Sequence, residues 1–411
     1  MSLPMTDVSD PKRRKLSLAS VAARAQCSLA AVSRTLAGLI EEGLSGNVEA
    51  DLGAADSVRR VLSAGSRAHA EATTPYGEVM QHLAVNGVNI PFVSPKALLH
   101  YLCSVSPDFA SLLGSVASAS HDRTLRLVLY ADEVTPGNVL RPDAGRKFWA
   151  IYWTVCEFPE FFRRSEDSWF TVATIRSKFL ETIPGGLSAV MKEFLKHVWL
   201  PETGNLATTG LMVPVPGGRQ WFRATFCGFC SDEAALKTIY NVKGASGTRP
   251  CLLCKNIIKN PPSGHPYLKG CEASADQWDL HTDQSFFEQV DLLRAVRGRV
   301  GVGTFQQMEK ACGINFDTNG LLFAQDLRSI VRPPTCSVFD HMHCLCSQGI
   351  ATSELGFLVS QMHNAGISVE QVDSFLSLFT LPKKFGSWPR IFCSSGRTLQ
   401  LATCGYLRLR C

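Results

Sequence analysis

Apolar and polar positions in the middle of the chain alternate in short runs that predict a sheet. Leu125 to Asp132 is rich in branched apolar residues, ends on a carboxylate and breaks at Thr135-Pro136-Gly137-Asn138, a turn signal. Two more aromatic and β-branched runs follow, Phe148–Val155 and Trp169–Ile175, and polar loops between them predict three consecutive antiparallel strands. The period then changes. From Leu187 to Trp199 the apolar residues Val190, Met191, Phe194, Leu195 and Val198 share one helical face, the pattern of a helix docking on a sheet. Leu211–Val215 and Gln220–Cys230 read as a hairpin across Pro216-Gly217-Gly218, and its second strand ends at Ser231-Asp232-Glu233 ahead of a helix from Ala234.

Strand, strand, strand, helix, strand, with an acid closing the first and fourth strands, resembles the order of the ribonuclease H fold, in which those two ends lie side by side. Neighbouring strands are about 4.8 Å apart, so two carboxylates there can share a pair of Mg²⁺ (or Mn²⁺) ions for phosphodiester displacement. Asp132 and Asp232 are the candidates. Asp is also a common turn residue at strand ends, and that reading applies to either residue taken alone.

The flanks carry other signals. Ser17 to about Leu39 is Ala-rich with helical spacing, and Leu18 to Leu36 resembles the helix-turn-helix of LacI-type repressors, which would bring Ser33 and Arg34 to DNA. Gln26 departs from that pattern at the turn, and an amphipathic pair of helices is the alternative. Lys12, Arg13, Arg14 and Lys15 form a basic run that fits either a nuclear-import patch or a solvated charge run. The chain divides into a tail and helical segment (1–44), a Gly/Ala/Ser-rich linker (45–75), a helical shoulder (76–124), the core (125–243), a Cys/His insertion (244–345) and a helical C-terminal part (346–411).

Within the insertion, Cys251 and Cys254 follow a Gly-rich turn, an arrangement that lets two sulfurs reach one Zn²⁺. Two further ligands are needed. His265 and Cys271 would complete a Cys-x2-Cys-x10-His-x5-Cys knuckle, while Asp340 and His343 are remote but suitable donors. Two buried, reduced thiols without a metal are the plain alternative.

Composition narrows the class without deciding it. Over 411 residues, 45% hydrophobic and 19% charged content is that of a folded chain, and a net charge of +5 is a mild basic bias compatible with a nucleic-acid partner. No apolar run reaches membrane-spanning length, so no membrane partner is expected. Fifteen scattered cysteines in a chain of this size point to reduced thiols and an intracellular protein. A P-loop, Gly-x-Gly-x-x-Gly, Gly-x-Ser-x-Gly and His-Glu-x-x-His are all absent from the sequence, which leaves no small-molecule substrate in view.

Taken in order over residues 126–345, Asp132, Asp232, Cys251 with Cys254, and Asp340-His341-Met342-His343 resemble the motifs of CACTA-type DNA transposases. The resemblance implies an α/β fold with a ribonuclease-H-like mixed sheet flanked by helices and a zinc-bearing insertion. It also implies Mg²⁺ on Asp132 and Asp232, Zn²⁺ on the Cys pair with His343, DNA as partner and a nuclear location. Homo-oligomers fit that reading as well. Glu133 follows the first acid where the family has Gly, which leaves room for a related lineage. Such a core needs a third carboxylate on a later helix, and Glu354 and Glu370 are the only glutamates after Asp340. Both sit in helical patterns that a solvated face also explains, and no evident closing element follows Phe385. The expectation is therefore a transposase-like protein, either active or decayed, with a non-catalytic zinc-stabilised DNA-binding or interaction protein as the alternative.

Overall fold

The computed structural model describes residues 72–135, 144–201, 204–259, 268–269, 274–346, 350–378, 392–395 and 398–401. The helix-turn-helix residues Ser33 and Arg34, the basic run Lys12–Lys15, and His265 and Cys271 lie outside them.

After a short antiparallel pairing of Thr73–Thr74 with Gly77–Glu78, the described chain forms a hairpin, β1 (Met80–Val85) and β2 (Val88–Val93). Its two-residue turn puts Asn86 at φ 47° and Gly87 at φ 85°, left-handed values that Asn and Gly tolerate and that match the strand twist. Two helices follow, α1 (Pro95–Val105) and α2 (Pro107–Ala119). Each has Pro in its first turn, where the missing N–H costs nothing, and Ser106 between them caps α2 by accepting the N–H of Phe109.

The main sheet comprises β3 (Thr124–Val134), β4 (Phe148–Val155), β5 (Phe170–Arg176), β6 (Leu211–Val215), β7 (Gly218–Ser231) and β8 (Ser337–Phe339). Its order is β8-β7-β3-β4-β5, with β6 paired to the outer part of β7. Strands β3, β4 and β5 run antiparallel, whereas β7 is parallel to β3 and β8 is parallel to β7. The fold is thus α/β with a six-stranded mixed sheet flanked by helices.

Alternation explains the layering. Leu125, Leu127, Leu129 and Ala131 of β3 are fully buried while Tyr130 and Asp132 on the opposite face are half-exposed. Helix α3 (Gly186–Trp199) buries Leu187, Val190, Met191, Phe194, Leu195 and Val198, and Trp199 Nε1 donates to the carbonyl of Ala224 on β7 at 2.9 Å. Helix α4 (Glu233–Tyr240) follows β7 directly. Between α4 and β8 lie α5 (Asp283–Val296) and α6 (Val302–Cys312), and Phe286, Phe287, Val290, Leu293 and Phe305 join the same core. Closing the described chain are α7 (His341–Leu345), α8 (Ile350–Asn364) and α9 (Val369–Ser377), with one further small hairpin beyond them.

The stretch expected as a helical shoulder (76–124) begins with the β1/β2 hairpin, whose short strands alternate buried and exposed positions, before its two helices. Two boundaries also differ from the sequence expectation. Strand β3 runs two residues past Asp132, because β4 continues to pair with it through Asp132↔Ala150, Glu133↔Trp149 and Val134↔Phe148. Ser337–Phe339, within the stretch assigned to the insertion, is an edge strand of the main sheet. Gly228 makes that possible: a Cβ there would lie 2.5 Å from the carbonyl oxygen of Cys336, which accepts the N–H of Phe229 at 2.8 Å.

Candidate active site

Register brings three carboxylates to one end of the sheet. Leu129 pairs with Phe229 at the end of the parallel β3/β7 ladder and the N–H of Ala131 reaches the Ser231 hydroxyl, so Asp132 and Asp232 each follow as the next residue on neighbouring strands. Phe339 pairs with Ser231 in the β8/β7 ladder, so Asp340 follows beside Asp232 on the other side. The site is tied at the preceding residue. Ser231, fully buried, accepts the N–H of Ala131 on its hydroxyl at 3.1 Å and the N–H of Asp340 on its carbonyl at 2.9 Å.

Asp232 and Asp340 also cap helices. Asp232 Oδ1 accepts the N–H of Ala235 at 2.6 Å at the start of α4, and Asp340 Oδ1 accepts the N–H of Met342 at 2.9 Å at the start of α7. The second oxygen of Asp340 lies 2.7 Å from Nδ1 of His343. Asp132 caps nothing and stands on a strand. Burial raises its pKa, as do the charges of Asp232 and Asp340, against the opposing effects of the Glu133 backbone N–H and His343. Neither Glu354 nor Glu370 is among the groups acting on it; both are exposed, on α8 and α9.

Two tyrosines line the same face. Tyr130 and Tyr152 are a cross-strand pair, and Trp169 packs edge-on to Tyr130 with ring centroids 5.9 Å apart. The Tyr130 phenol is pushed well up, first by burial and then by Asp132, Asp340 and Asp232 together, which places its hydroxyl within the field of all three acids. Burial and Asp132 raise Tyr152 in the same direction. Sequence reading picked out Asp132 and Asp232. It assigned Asp340 to the zinc site, and no local signal in three residues of edge strand would have put it in this row.

The Cys pair forms a knuckle elsewhere. Cys251 Sγ accepts the N–H of Leu253 at 3.4 Å and of Cys254 at 3.3 Å. The stretch before α5 packs beside it: Cys254 forms a β-bridge with Leu280, and the N–H of His281 donates to the carbonyl of Leu253 at 2.7 Å. His281 is buried, its Nδ1 is 3.2 Å from Ser285 Oγ, and burial together with Arg249 and Lys255 lowers its pKa to about 4. Asp340 and His343, the remote zinc ligands expected from sequence, are instead bonded to each other beside Asp232. Among the described residues no three His, Cys, Asp or Glu side chains form a ready cage for a metal ion, and no helix is long and apolar enough to cross a membrane.

No known protein family matches this chain, and no curated protein matches it significantly.

Proposed function

We propose that this chain is a transposase-like DNA-processing protein whose sheet is ribonuclease-H-like and whose acids Asp132 and Asp232 hold Mg²⁺ or Mn²⁺ for phosphodiester cleavage and strand transfer. The observation that carries the reading is that Asp132, Asp232 and Asp340 lie near the carboxyl ends of three adjacent parallel strands. The strand order and directions support it too: three antiparallel strands, a helix, then two strands parallel to the first. When bound, the metal would supply an activated water or hydroxyl nucleophile and stabilise the leaving oxygen.

The chain's own residues have separable parts. Asp132 would contribute its carboxylate from a strand, Asp232 keeps one oxygen on a helix N-terminus and offers the other, and Asp340 has one oxygen on the Met342 N–H and the other against His343. That fits Mg²⁺, which takes one or two carboxylates and retains several waters. Asp340, with His343 fixing its second oxygen, takes the place of the third acid in this reading, ahead of Glu354 or Glu370. Tyr130 and Tyr152 present phenols and ring edges to a strand lying over the acids. DNA is the partner and the nucleus the location that the reading carries.

The second reading, a non-catalytic zinc-stabilised interaction protein, is favoured by two observations. Asp232 and Asp340 already have a structural use as caps, and the Cys251–Cys254 knuckle is formed. The deciding experiment incubates the full chain with supercoiled and linear DNA, with Mg²⁺ or Mn²⁺ and with EDTA. Metal-dependent nicking that Asp132→Asn removes supports the enzyme; zinc in the isolated protein without any nicking supports the interaction protein.

A further inference from the structure

An open cavity of about 280 Å³ lies at the β4/β5 side of the sheet, lined by Arg146, Phe148, Thr174 and Arg176. Its place relative to the acids follows from register. Asp132 pairs with Ala150 and Ala150 pairs with Thr174, so all three point to one face of the sheet; Phe148 and Arg176, paired two residues further on, point the same way. The cavity and Asp132 therefore share a face and an end of the sheet. Two strand spacings separate Thr174 from Asp132, about 10 Å.

Its chemistry is cationic. Among the described residues neither guanidinium has an ion-pair partner, and Arg176 makes one long bond, 3.4 Å, to the carbonyl of Gly145. The nearest acid on the strand, Glu133, is taken by Lys147 at 2.8 Å and by the Ser177 hydroxyl at 2.7 Å. Two guanidiniums on one opening repel each other unless an anion lies between them, and their planar forks match phosphate oxygens bidentately. The Thr174 hydroxyl adds a donor, and Phe148 gives an apolar wall against which a sugar or base can rest.

We propose that the Arg146–Thr174–Arg176 cavity binds a backbone phosphate of a nucleic-acid strand running across the open sheet face towards Asp132. This deepens the DNA-processing reading and rests on it for the identity of the strand. At about 3.4 Å of axial rise per nucleotide, the separation corresponds to roughly three nucleotides from the acids. The cavity is thus an anchor that fixes register and contributes no sequence preference.

The test measures fluorescence anisotropy of a labelled single-stranded oligodeoxynucleotide with the full chain in EDTA, over a series of salt concentrations. Arg146→Ala combined with Arg176→Ala is expected to weaken binding about tenfold and to lower the salt slope by about one. Lys178→Ala, which removes a neighbouring charge outside the cavity, should leave both nearly unchanged. Both arginines are exposed, so an unchanged melting temperature verifies that the double variant folds. Unaltered affinity and slope in the double variant overturn the proposal, as does an equal loss in Lys178→Ala or failure of the wild-type chain to bind the oligonucleotide. If cleavage is never seen but the arginine variants still lose binding, the anchor stands and the nuclease reading alone falls.

Discussion

The hydroxyl of Ser231 accepts the backbone N–H of Ala131, at 3.1 Å, in the buried layer beneath Asp132 and Asp232. One side chain thereby sets the relative height of two strands at the point where the carboxylates emerge. Its own carbonyl takes the N–H of Asp340, so all three acids are referenced to this residue. Ser231→Ala leaves the N–H of Ala131 without that acceptor inside the core and should cost about 1–3 kcal/mol in denaturant unfolding. A loss of DNA nicking larger than the unfolded fraction explains is expected alongside it.

Asp132→Asn should behave as a trade of function for stability. The carboxyl pKa is raised in the folded state, so the folded chain holds the proton more tightly than the unfolded chain and stability falls as pH rises through that range. In EDTA at neutral pH the variant should therefore melt higher than wild type. Added Mg²⁺ should stabilise the wild-type chain and not the variant, and nicking should drop about 10²-fold or more. A lower melting temperature for the variant would contradict the electrostatic picture.

Asp232 permits a separation of its two uses. Asn caps a helix about as well as Asp, whereas Ala does not. Asp232→Asn should keep the unfolding midpoint near wild type while removing metal-dependent nicking; Asp232→Ala should lose about 1 kcal/mol as well. Equal activity in Asp232→Asn and wild type would leave capping as its whole role.

Asp340 and Glu354 make a paired comparison. Asp340→Asn preserves the cap on α7 but removes the charge that acts on Asp132 and Tyr130, and nicking should fall as far as in Asp232→Asn. Glu354→Gln, on the exposed side of α8, should leave nicking within about twofold, the scatter expected of a surface change within ±0.5 kcal/mol. The reverse ranking would return the third-acid role to Glu354.

Cys227 offers a pH-dependent readout away from the acids. The Cys156 thiol hydrogen-bonds to it and Arg126 lies near, which together lower its pKa to about 6 while Cys156 is pushed up. The thiolate should persist as pH falls from 8 towards 6. Mass spectrometry after brief iodoacetamide treatment at pH 7 should find Cys227 alkylated ahead of Cys156; Cys156→Ser, whose hydroxyl can still donate, should keep Cys227 reactive, while Arg126→Ala should slow its alkylation.

Much of the sheet was legible because its strands carry their own periodicity. Phe148–Val155 and the hairpin across Pro216-Gly217-Gly218 alternate over enough residues to declare a strand, and α3 shows its buried face in Val190, Phe194 and Val198. Asp132 and Asp232 followed from their place at strand ends. Asp340 did not, because Ser337–Phe339 is too short to show a period and its partner lies about a hundred residues earlier, a pairing set by tertiary packing around Gly228. The cationic cavity was equally hidden: Arg146, Thr174 and Arg176 come from two different strands' ends and converge only through the β4/β5 register.

The register shared by β3, β7 and β8 has a kinetic consequence. Leu129 pairs with Phe229 and Phe339 with Ser231, so each ladder closes a loop of about a hundred residues before it gains any contact. Loop closure is paid for in chain entropy ahead of any reward, and topologies dominated by distant pairings fold slowly. The local hairpin β1/β2 and helices α1 and α2 can form early, whereas the three aspartates meet only when the last long-range ladder is in place. During refolding from denaturant, the acids should become mutually coupled in the slowest phase, so that any activity they carry returns with the final native population rather than with the bulk of the secondary structure.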